Sequence, residues 1–288
     1  MTLSEMKQIL AAGGVRLAKS LGQNFLHDAN QLRRIVAAAG LRDGDRILEI
    51  GPGLGPLTEL LLASARELLA IEKDRRLVEL LQRRFGTARA LSLVHEDALD
   101  YLRQHPTDWS EWKLVANLPY SVASRLLVEL AQMERGPRLM VVTLQWEVAQ
   151  RLLAQAGGED YGVLTLLIQL RYQPDAWFKI PPSCFFPEPE VDSACIKLIR
   201  REEPLLPLDQ ARIFSKIVKR GFSQRRKMMM KLLKQDWEAK AMEDAFDRAS
   251  LSHQIRAEAV SLDKFVELTE ILGQAKPNGD ERRNLRCG

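Results

Sequence analysis

Between Arg46 and about Val142, short apolar runs alternate with amphipathic stretches. The apolar runs have the length and composition of strands, and the stretches between them have helical periodicity. The strand runs read RILEIG, ELLAIEKD, LSLVHEDAL, KLVANLPY and RLMVVTLQ, and the helical ones PLTELLLASA, RRLVELLQRRF and ASRLLVELAQM. Strands separated by helices of this length form parallel βαβ units with helices on both faces of the sheet. The pattern therefore predicts a doubly wound, mostly parallel, Rossmann-like α/β sheet.

The sequence after this region predicts a second, helical domain. A further helix is expected around residues 147–155. The segment IPPSCFFPEPEVDSA contains four prolines, so it is expected to be a fixed loop without regular structure that enters a last strand, CIKLIR. Beyond about Glu203 the periodicity is purely helical. We therefore predict one domain over 1–202, a small all-helical domain over 203–274 and a polar tail over 275–288.

The composition is that of a folded protein with no membrane span. The 288 residues are 46% hydrophobic and 28% charged. No apolar run approaches the roughly 18 to 20 residues that cross a bilayer, and the first residues do not have the pattern of a signal peptide. The expected location is therefore the cytoplasm. The cysteines (Cys184, Cys195 and Cys287) and the four histidines lack metal-ligand spacing, so we expect reduced thiols and no metal site.

Positive charge is concentrated in one part of the predicted helical domain. Nine basic residues lie between Ala211 and Lys234 with no Asp or Glu among them: Arg212, Lys216, Lys219, Arg220, Arg225, Arg226, Lys227, Lys231 and Lys234. The chain has 42 basic and 38 acidic residues, so the remainder of the sequence is net negative. Charged residues on a helix are usually only solvated, but this concentration favours phosphate binding, with Arg225, Arg226 and Lys227 as the best candidates for RNA contact.

The sequence EIGPGLGP, residues 49–56, joins the first strand of this region to a helix. Its glycines permit a tight turn and close approach of the backbone to a ligand: Gly51, Gly53 and Gly55. A dinucleotide-binding loop would have glycine at position 56, where this chain has Pro56. The departure favours a ligand without a pyrophosphate, and Glu49 below the loop favours a cationic one.

Acidic residues also end the next two strands. A carboxylate at Glu72, about 20 residues after the loop, can accept both ribose hydroxyls. A carboxylate at Asp97 can accept a hydrogen bond from the adenine amino group. Either acid alone is more typical of a solvated loop, but acids at the ends of consecutive strands beside a glycine loop favour a ligand site. We therefore predict S-adenosylmethionine as the cofactor.

Several motifs together resemble the ribosomal RNA adenine dimethyltransferases, and most closely those of the small subunit. The matching segments occur in family order from about Leu17 to Phe265: LGQNFLHD, EIGPGLGPLT, HEDAL, NLPYSVAS, PPSCFFPEPEVDSA, FSQRRK and RAEAVSL. The resemblance implies a class I methyltransferase sheet with an N-terminal segment that covers the cofactor. It also implies that Gln23, Asn24 and Leu26 close over the methionine end of the cofactor. Two residues depart from the family pattern: Trp146, where Lys is usual, and Ala259, where Asn is common.

The segment NLPY, residues 117–120, is the predicted catalytic element. Asn and Pro are ordinary turn formers, so alone it is also typical of a strand exit. In the resembling family's reaction, the Asn117 side-chain carbonyl and the Leu118 backbone carbonyl can accept the two protons of an adenine N6 amine, which aligns the nitrogen lone pair with the methyl group. Pro119 fixes this turn. Tyr120 is expected to stack on the unstacked base, and the resemblance implies Phe185 on its opposite face.

The resulting prediction is an enzyme that dimethylates two adjacent adenines near the 3′ end of small-subunit rRNA, without an obligate protein partner and as a monomer. Three alternatives remain open. One is a large-subunit rRNA methylase of the macrolide-resistance type, which shares the cofactor motifs. Another is a non-catalytic assembly or transcription factor derived from the same fold. The third is a DNA adenine methylase, which would explain NLPY but not the C-terminal resemblance.

Overall fold

The computed structural model describes residues 1–12 and 23–274. The strands are β1 (Phe25–Leu26), β2 (Asp45–Ile50), β3 (Ala65–Glu72), β4 (Leu91–His95), β5 (Trp112–Asn117), β6 (Leu139–Gln145), β7 (Tyr172–Ile180), β8 (Phe185–Phe186) and β9 (Ser193–Arg200). The helices are α1 (Leu3–Ala12), α2 (Ala29–Ala39), α3 (Pro56–Leu62), α4 (Arg75–Phe85), α5 (Ala98–Gln104), α6 (Ala123–Gln132), α7 (Trp146–Leu153), α8 (Val163–Gln169), α9 (Leu208–Gly221), α10 (Met229–Leu233), α11 (Ala239–Arg248) and α12 (Leu262–Gly273). The predicted tail, 275–288, with Cys287, lies outside the described residues, as do residues 17–22 of the family resemblance.

The main sheet has seven strands in the order β4-β3-β2-β5-β6-β9-β7. Strands β2 to β6 pair in parallel, and β9 runs antiparallel to both of its neighbours. The predicted mostly parallel, doubly wound sheet is confirmed. The chain moves outward from β2 to β4 and then returns to the other side of β2 with β5. The carboxyl ends of β2 and β5 therefore flank the topological switch point, where open α/β sheets bind ligands.

Local sequence explains where the helices on this sheet begin. Asp28, Asp74 and Asp97 precede α2, α4 and α5, and each side chain accepts a backbone N–H from the first turn of its helix. Apolar side chains of α2 and α3 pack on β2, β5 and β6 in one buried cluster that includes Ile35 and Val115. This packing fixes the ends of the strands that carry the predicted site.

The proline-rich segment contains regular structure, although the sequence predicted an irregular loop there. One turn of 3-10 helix covers Pro182–Cys184, and β8 follows directly. Strand β8 pairs antiparallel with β1, with Phe25 opposite Phe186 and Leu26 opposite Phe185. The four prolines did not exclude a strand here because none of them lies within the two paired residues.

The described chain divides into two compact units. One comprises Met1–Ala149 with Tyr172–Arg200, and the other Gln150–Arg171 with the chain from Arg201 onward. The predicted boundary placed 150–171 in the first domain, whereas the contacts group this segment with the C-terminal helices. The Tyr161 hydroxyl donates to the Val260 carbonyl at 2.8 Å, and the Arg201 N–H donates to the Arg171 carbonyl at 2.8 Å. Such contacts between segments distant in sequence are not visible in a periodicity pattern.

No helix within residues 1–12 and 23–274 is long and apolar enough to span a membrane. In the same part of the chain, no three His, Cys, Asp or Glu side chains are grouped so as to hold a metal ion.

Candidate active site

The glycine loop after β2 touches the NLPY segment directly. Gly51 has φ +70°, and a Cβ there would lie 3.2 Å from the Pro119 ring. Gly53 has φ +62°, and a Cβ there would lie 2.7 Å from the Phe25 ring. Both positions therefore combine a left-handed backbone with close packing, which only glycine permits without rearrangement. The loop therefore lies between Phe25 of the N-terminal segment and Pro119 of the predicted catalytic turn.

Glu72 ends β3 and points into the same cleft. One carboxylate oxygen accepts the Gly53 N–H at 3.1 Å, and the other accepts the Asp74 N–H at 2.9 Å. Burial raises the pKa of Glu72, and these two amide hydrogen bonds oppose the rise. Each oxygen keeps a further lone pair, so the carboxylate is oriented by the backbone and can still accept hydroxyl groups of a ligand.

Glu49 lies below the loop and is fully buried. Its Oε2 atom accepts no hydrogen bond within the described chain. Burial, with a smaller contribution from the charge of Glu72, raises the pKa of Glu49 to about 8. The Thr58 hydroxyl opposes this rise, and a buried carboxyl with one unpaired oxygen favours a nearby positive charge. This environment fits the cationic ligand that the sequence predicted.

Asp97 has both a capping and a cleft-lining position. Its Oδ1 accepts the Leu99 N–H at 2.9 Å, and its Oδ2 lies 2.9 Å from the Lys73 ammonium. Burial alone would raise the pKa of Asp97, but these two donors lower it. Asp97 therefore caps helix α5 and also lines the cleft. Its capping role and its predicted contact with adenine are compatible.

Asn117 ends β5 at the switch point. Its side-chain nitrogen donates to the Asn24 carbonyl at 2.9 Å, so the amide is held in one orientation. The Oδ1 atom is buried and accepts no hydrogen bond from the described residues. The Leu118 N–H donates to the Thr143 carbonyl at 3.0 Å, which fixes the peptide between Asn117 and Leu118. The Leu118 carbonyl is the second candidate acceptor. An oriented acceptor without a partner is a feature of a ligand site.

Tyr120 is partly buried, and its hydroxyl makes a hydrogen bond with Ser193 at the start of β9. Burial raises the pKa of Tyr120. The side chain is not among the residues that line the cleft, although Leu118, Pro119 and Ser121 are. The stacking role predicted for Tyr120 remains a prediction.

Two predicted site residues are in the hydrophobic core instead of the cleft. Leu26 and Phe185 are 1% and 2% exposed and pack in the same cluster as Ile35. Side chains alternate across a strand, so the pairing of β1 with β8 turns Leu26 and Phe185 inward. Phe25 faces the glycine loop and lines the cleft in place of Leu26. In this geometry neither Leu26 nor Phe185 contacts the cleft.

The other two residues of the N-terminal segment do reach the cleft. Gln23 lines it and donates to Asp74 at 3.1 Å, and Asn24 lines it and accepts from Asn117. This segment therefore connects the ends of β3 and β5. The structure brings together Gln23, Asn24, Gly51, Gly53, Glu72, Asp97, Asn117, Leu118 and Pro119.

The cleft is open to solvent on one side, and residues of the glycine loop, of the strand ends and of the NLPY segment line it. Sequence reasoning missed its apolar wall, formed by Phe25, Ile50, Ile71, Leu77, Leu99, Val122 and Leu126. Two of these residues could have been predicted as cleft-lining from the sequence, because Ile50 directly precedes the glycine loop and Leu99 follows Asp97 by two residues. The cleft thus offers apolar surface for an aromatic base and carboxylates for ribose and amino groups. Below the loop, the buried Glu49 carboxyl can ionise when a positive charge binds nearby. These features fit S-adenosylmethionine.

Within the helical unit, three of the nine basic residues are paired with acids and six are not. Lys216 and Arg220 pair with Asp236, and Lys234 pairs with Glu243. Arg225 donates to the Glu159 carbonyl at 2.9 Å. The remaining five make no ion pair with described residues and are exposed: Arg212, Lys219, Arg226, Lys227 and Lys231. All three predicted RNA-contacting residues therefore present charge that no described acid neutralises, and Arg225 is in addition held by a backbone carbonyl.

Comparison with known proteins extends over most of the chain. Residues 14–274 match the family described as "Ribosomal RNA adenine dimethylase". "Ribosomal RNA small subunit methyltransferase A" of Lactiplantibacillus plantarum is 38% identical over 282 residues, which covers 93% of this chain and 94% of that protein. The protein of the same name from Magnetococcus marinus is 38% identical over 271 residues, with 91% and 94% covered.

Two solved structures share the fold. A dimethyladenosine transferase from Plasmodium falciparum gives a TM-score of 0.73 at 24% identity, covering 87% of this chain and 98% of that chain. The 23S rRNA methyltransferase ErmE gives a TM-score of 0.66 at 27% identity, covering 87% of this chain and 100% of that chain. The predicted methyltransferase fold is confirmed.

Proposed function

Because the chain belongs to the ribosomal RNA adenine dimethylase family, we propose that it transfers methyl groups from S-adenosylmethionine to the N6 amines of two adjacent adenines near the 3′ end of small-subunit rRNA. The observation that carries this proposal is the Asn117 amide oxygen, which is buried, oriented and without a partner at the switch point. The relatives named small subunit methyltransferase A, at 38% identity, support the choice of subunit.

The residues that line the cleft have separate roles in cofactor binding. The Gly51–Gly53 loop allows the backbone to approach, Glu72 accepts the ribose hydroxyls, and Asp97 accepts from the adenine amino group. Gln23 and Asn24 cover the methionine end. Glu49 ionises below the loop when a ligand that carries ammonium and sulfonium charges binds above it, because a nearby positive charge lowers the pKa of a buried carboxyl.

The NLPY segment prepares the amine for reaction. The N6 lone pair of adenine is delocalised into the ring, so the amine is a weak nucleophile. Asn117 Oδ1 and the Leu118 carbonyl accept its two protons and favour a tetrahedral nitrogen, which also stabilises the charge that develops there. When bound, S-adenosylmethionine supplies the electrophilic methyl group. Among the described residues that line the cleft there is no histidine, and the cationic product is acidic enough to lose its proton to water.

The helical unit supplies the RNA contact in this proposal. Arg226 and Lys227, with Arg225, bind phosphates of the rRNA, since their side chains are exposed. We further propose that the protein acts as a monomer in the cytoplasm, on small subunits that are already partly assembled, without an obligate protein partner. The similarity to ErmE supports methylation of large-subunit rRNA as the second candidate function.

Methyl transfer to defined substrates tests the proposal. The protein is incubated with labelled S-adenosylmethionine and, separately, with small subunits, large subunits, free rRNA of each kind and DNA. The modified base is then mapped. We expect dimethylation of two adjacent adenines in small-subunit RNA. Label in large-subunit RNA alone would support the second candidate, and label in DNA alone would contradict both.

A further inference from the structure

We propose that Trp146, Trp177 and Lys179, here called the aromatic patch, form a stacking site for an unpaired nucleotide of the substrate RNA outside the target-base site. This inference rests on the proposed function and names a second RNA subsite for it. It concerns residues to which the proposed function assigns no role.

The patch has the chemistry of a single-stranded nucleic acid site. The Trp146 and Trp177 ring centroids lie 5.1 Å apart with planes tilted by 39°. The Lys179 ammonium lies 4.3 Å from the centroid of the Trp146 ring. The side chain of Trp177 is 49% exposed, which is unusually high for a large apolar residue. Exposed aromatic rings beside a cation are the elements with which proteins bind unpaired bases and their phosphates.

The patch lies at the end of the sheet that carries the predicted target-base site. Trp146 directly follows β6, and its N–H donates to the Asp192 carbonyl at 2.9 Å. The next residue, Ser193, makes the hydrogen bond to the Tyr120 hydroxyl. Strands β6 and β7 have the same direction, since both run antiparallel to β9. Trp177 and Lys179 therefore lie toward the carboxyl end of β7, at the same end of the sheet as Asn117. Their side chains are on the opposite face, because Asn117 is in register with Phe178 through Thr143 and Cys195.

The charges of the patch favour a base over a basic peptide. Lys179 already occupies one face of Trp146, so a second cation would be repelled from that ring. The acid nearest to it, Asp192, lies 4.0 Å from the ammonium, and both side chains are about half exposed. Such a pair is weak, so the ammonium can turn to a phosphate. Stacking is the main source of affinity here, because every base presents a flat face.

The test uses tryptophan fluorescence of the whole protein. Trp109, Trp112 and Trp237 are at most 2% exposed, so quenching by a ligand at the surface reports Trp146 and Trp177. The probes are a single-stranded RNA heptamer with two adjacent adenines, an abasic oligonucleotide of the same length, and a peptide rich in Lys and Arg. We expect quenching by the heptamer and little by the abasic strand.

Substitutions locate the effect. Trp177→Ala should weaken heptamer binding about tenfold, as expected for one lost stacked base, and Trp177→Phe should restore most of it. Ile199→Ala is the matched control. Ile199 is also an exposed apolar residue, but it lies opposite Gln173, near the start of β7 and away from the patch. Equal quenching by the abasic strand, or quenching by the peptide and not by RNA, would overturn the proposal.

Activity separates this inference from the proposed function. If wild-type protein methylates small subunits, Trp177→Ala should raise the KM for subunits and leave cofactor affinity and kcat unchanged. An unchanged KM would overturn the patch and leave the function standing. If wild-type protein leaves small subunits unlabelled, the function fails, and the fluorescence titration still decides whether the patch binds a base.

Discussion

At the scale of single residues, the side-chain amide of Asn117 is hydrogen-bonded through its nitrogen, and its oxygen is available to accept. The bond from its side-chain nitrogen to Asn24 orients the amide, and the buried Oδ1 has no partner in the described chain. The sequence identified this residue from its motif. The orientation of the amide could not be predicted, because it depends on a carbonyl 93 positions earlier in the chain.

We expect Asn117→Ala to lower the rate of methyl transfer by about 10² to 10³, the usual cost of losing one preorganised polar contact to a transition state. Cofactor affinity should fall much less. Single-turnover transfer and calorimetric binding of the cofactor measure the two effects separately. Gln145→Ala, at the end of the adjacent β6, serves as the control. Unchanged turnover in Asn117→Ala would refute the role assigned to its oxygen.

Glu49 should make the stability of the cofactor-free protein depend on pH. Its pKa of about 8 exceeds the ordinary value of 4.5. A carboxyl with a raised folded-state pKa stabilises the fold fully below the unfolded pKa, and this contribution is lost as pH rises through the folded pKa. Glu49→Gln should therefore reduce the fall in the free energy of unfolding between pH 4.5 and 8, by on the order of a few kcal/mol.

Denaturant unfolding at pH 5, 6.5 and 8 measures the Glu49 effect. Glu111→Gln is the control, because Glu111 is exposed at the surface. Parallel pH profiles for wild type and Glu49→Gln would contradict the prediction.

At the scale of elements, the glycine loop and the β1–β8 pair set the shape of the cleft. The sequence predicted the loop correctly, because glycine spacing after a strand is a local signal. It placed Leu26 at the cofactor and Phe185 at the base, whereas the structure buries both. The pairing of two short strands more than 150 residues apart decides which side chain faces inward, and no local pattern records that pairing.

Substitution of Gly53 should show that the loop needs close packing as well as a left-handed backbone. In Gly53→Ala the new Cβ would lie 2.7 Å from the Phe25 ring, so we expect cofactor affinity to fall at least tenfold. Gly44→Ala is the matched control, because Gly44 has φ +99° but no atom within 4 Å of an added Cβ. It should lose some stability and keep its affinity. Equal losses of affinity in both variants would mean that the contact with Phe25 is unimportant.

At the scale of the whole molecule, charge and catalytic groups are distributed between two compact units. The carboxylates of the cleft belong to the unit that contains the sheet, and the basic stretch belongs to the helical unit. The sequence located the basic stretch. It could not show that Lys216, Arg220 and Lys234 are already paired with acids, because Asp236 and Glu243 approach them only in the folded unit.

The double substitution Arg226→Ala with Lys227→Ala should weaken RNA binding and flatten its salt dependence. Each lost phosphate contact lowers the slope of log affinity against log salt by roughly 0.7 to 0.9. Lys234→Ala, whose ammonium lies 2.6 Å from Glu243, should change the slope little. Filter binding between low and moderate salt measures both. An unaltered slope in the double variant would place the RNA contact elsewhere.

The sequence by itself determined the alternation of strands and helices from Arg46 to about Val142, the glycine loop, the acids at the strand ends and the NLPY segment, because each is a local pattern of period, turn chemistry or composition. Only the tertiary structure decided which of these residues meet. It joined Gly51 to Pro119 and Asn117 to Asn24, turned Leu26 and Phe185 into the core, assigned 150–171 to the helical unit and exposed Trp177 beside Trp146. The physical reason is that facing and contact depend on strand pairing and packing across long sequence separations.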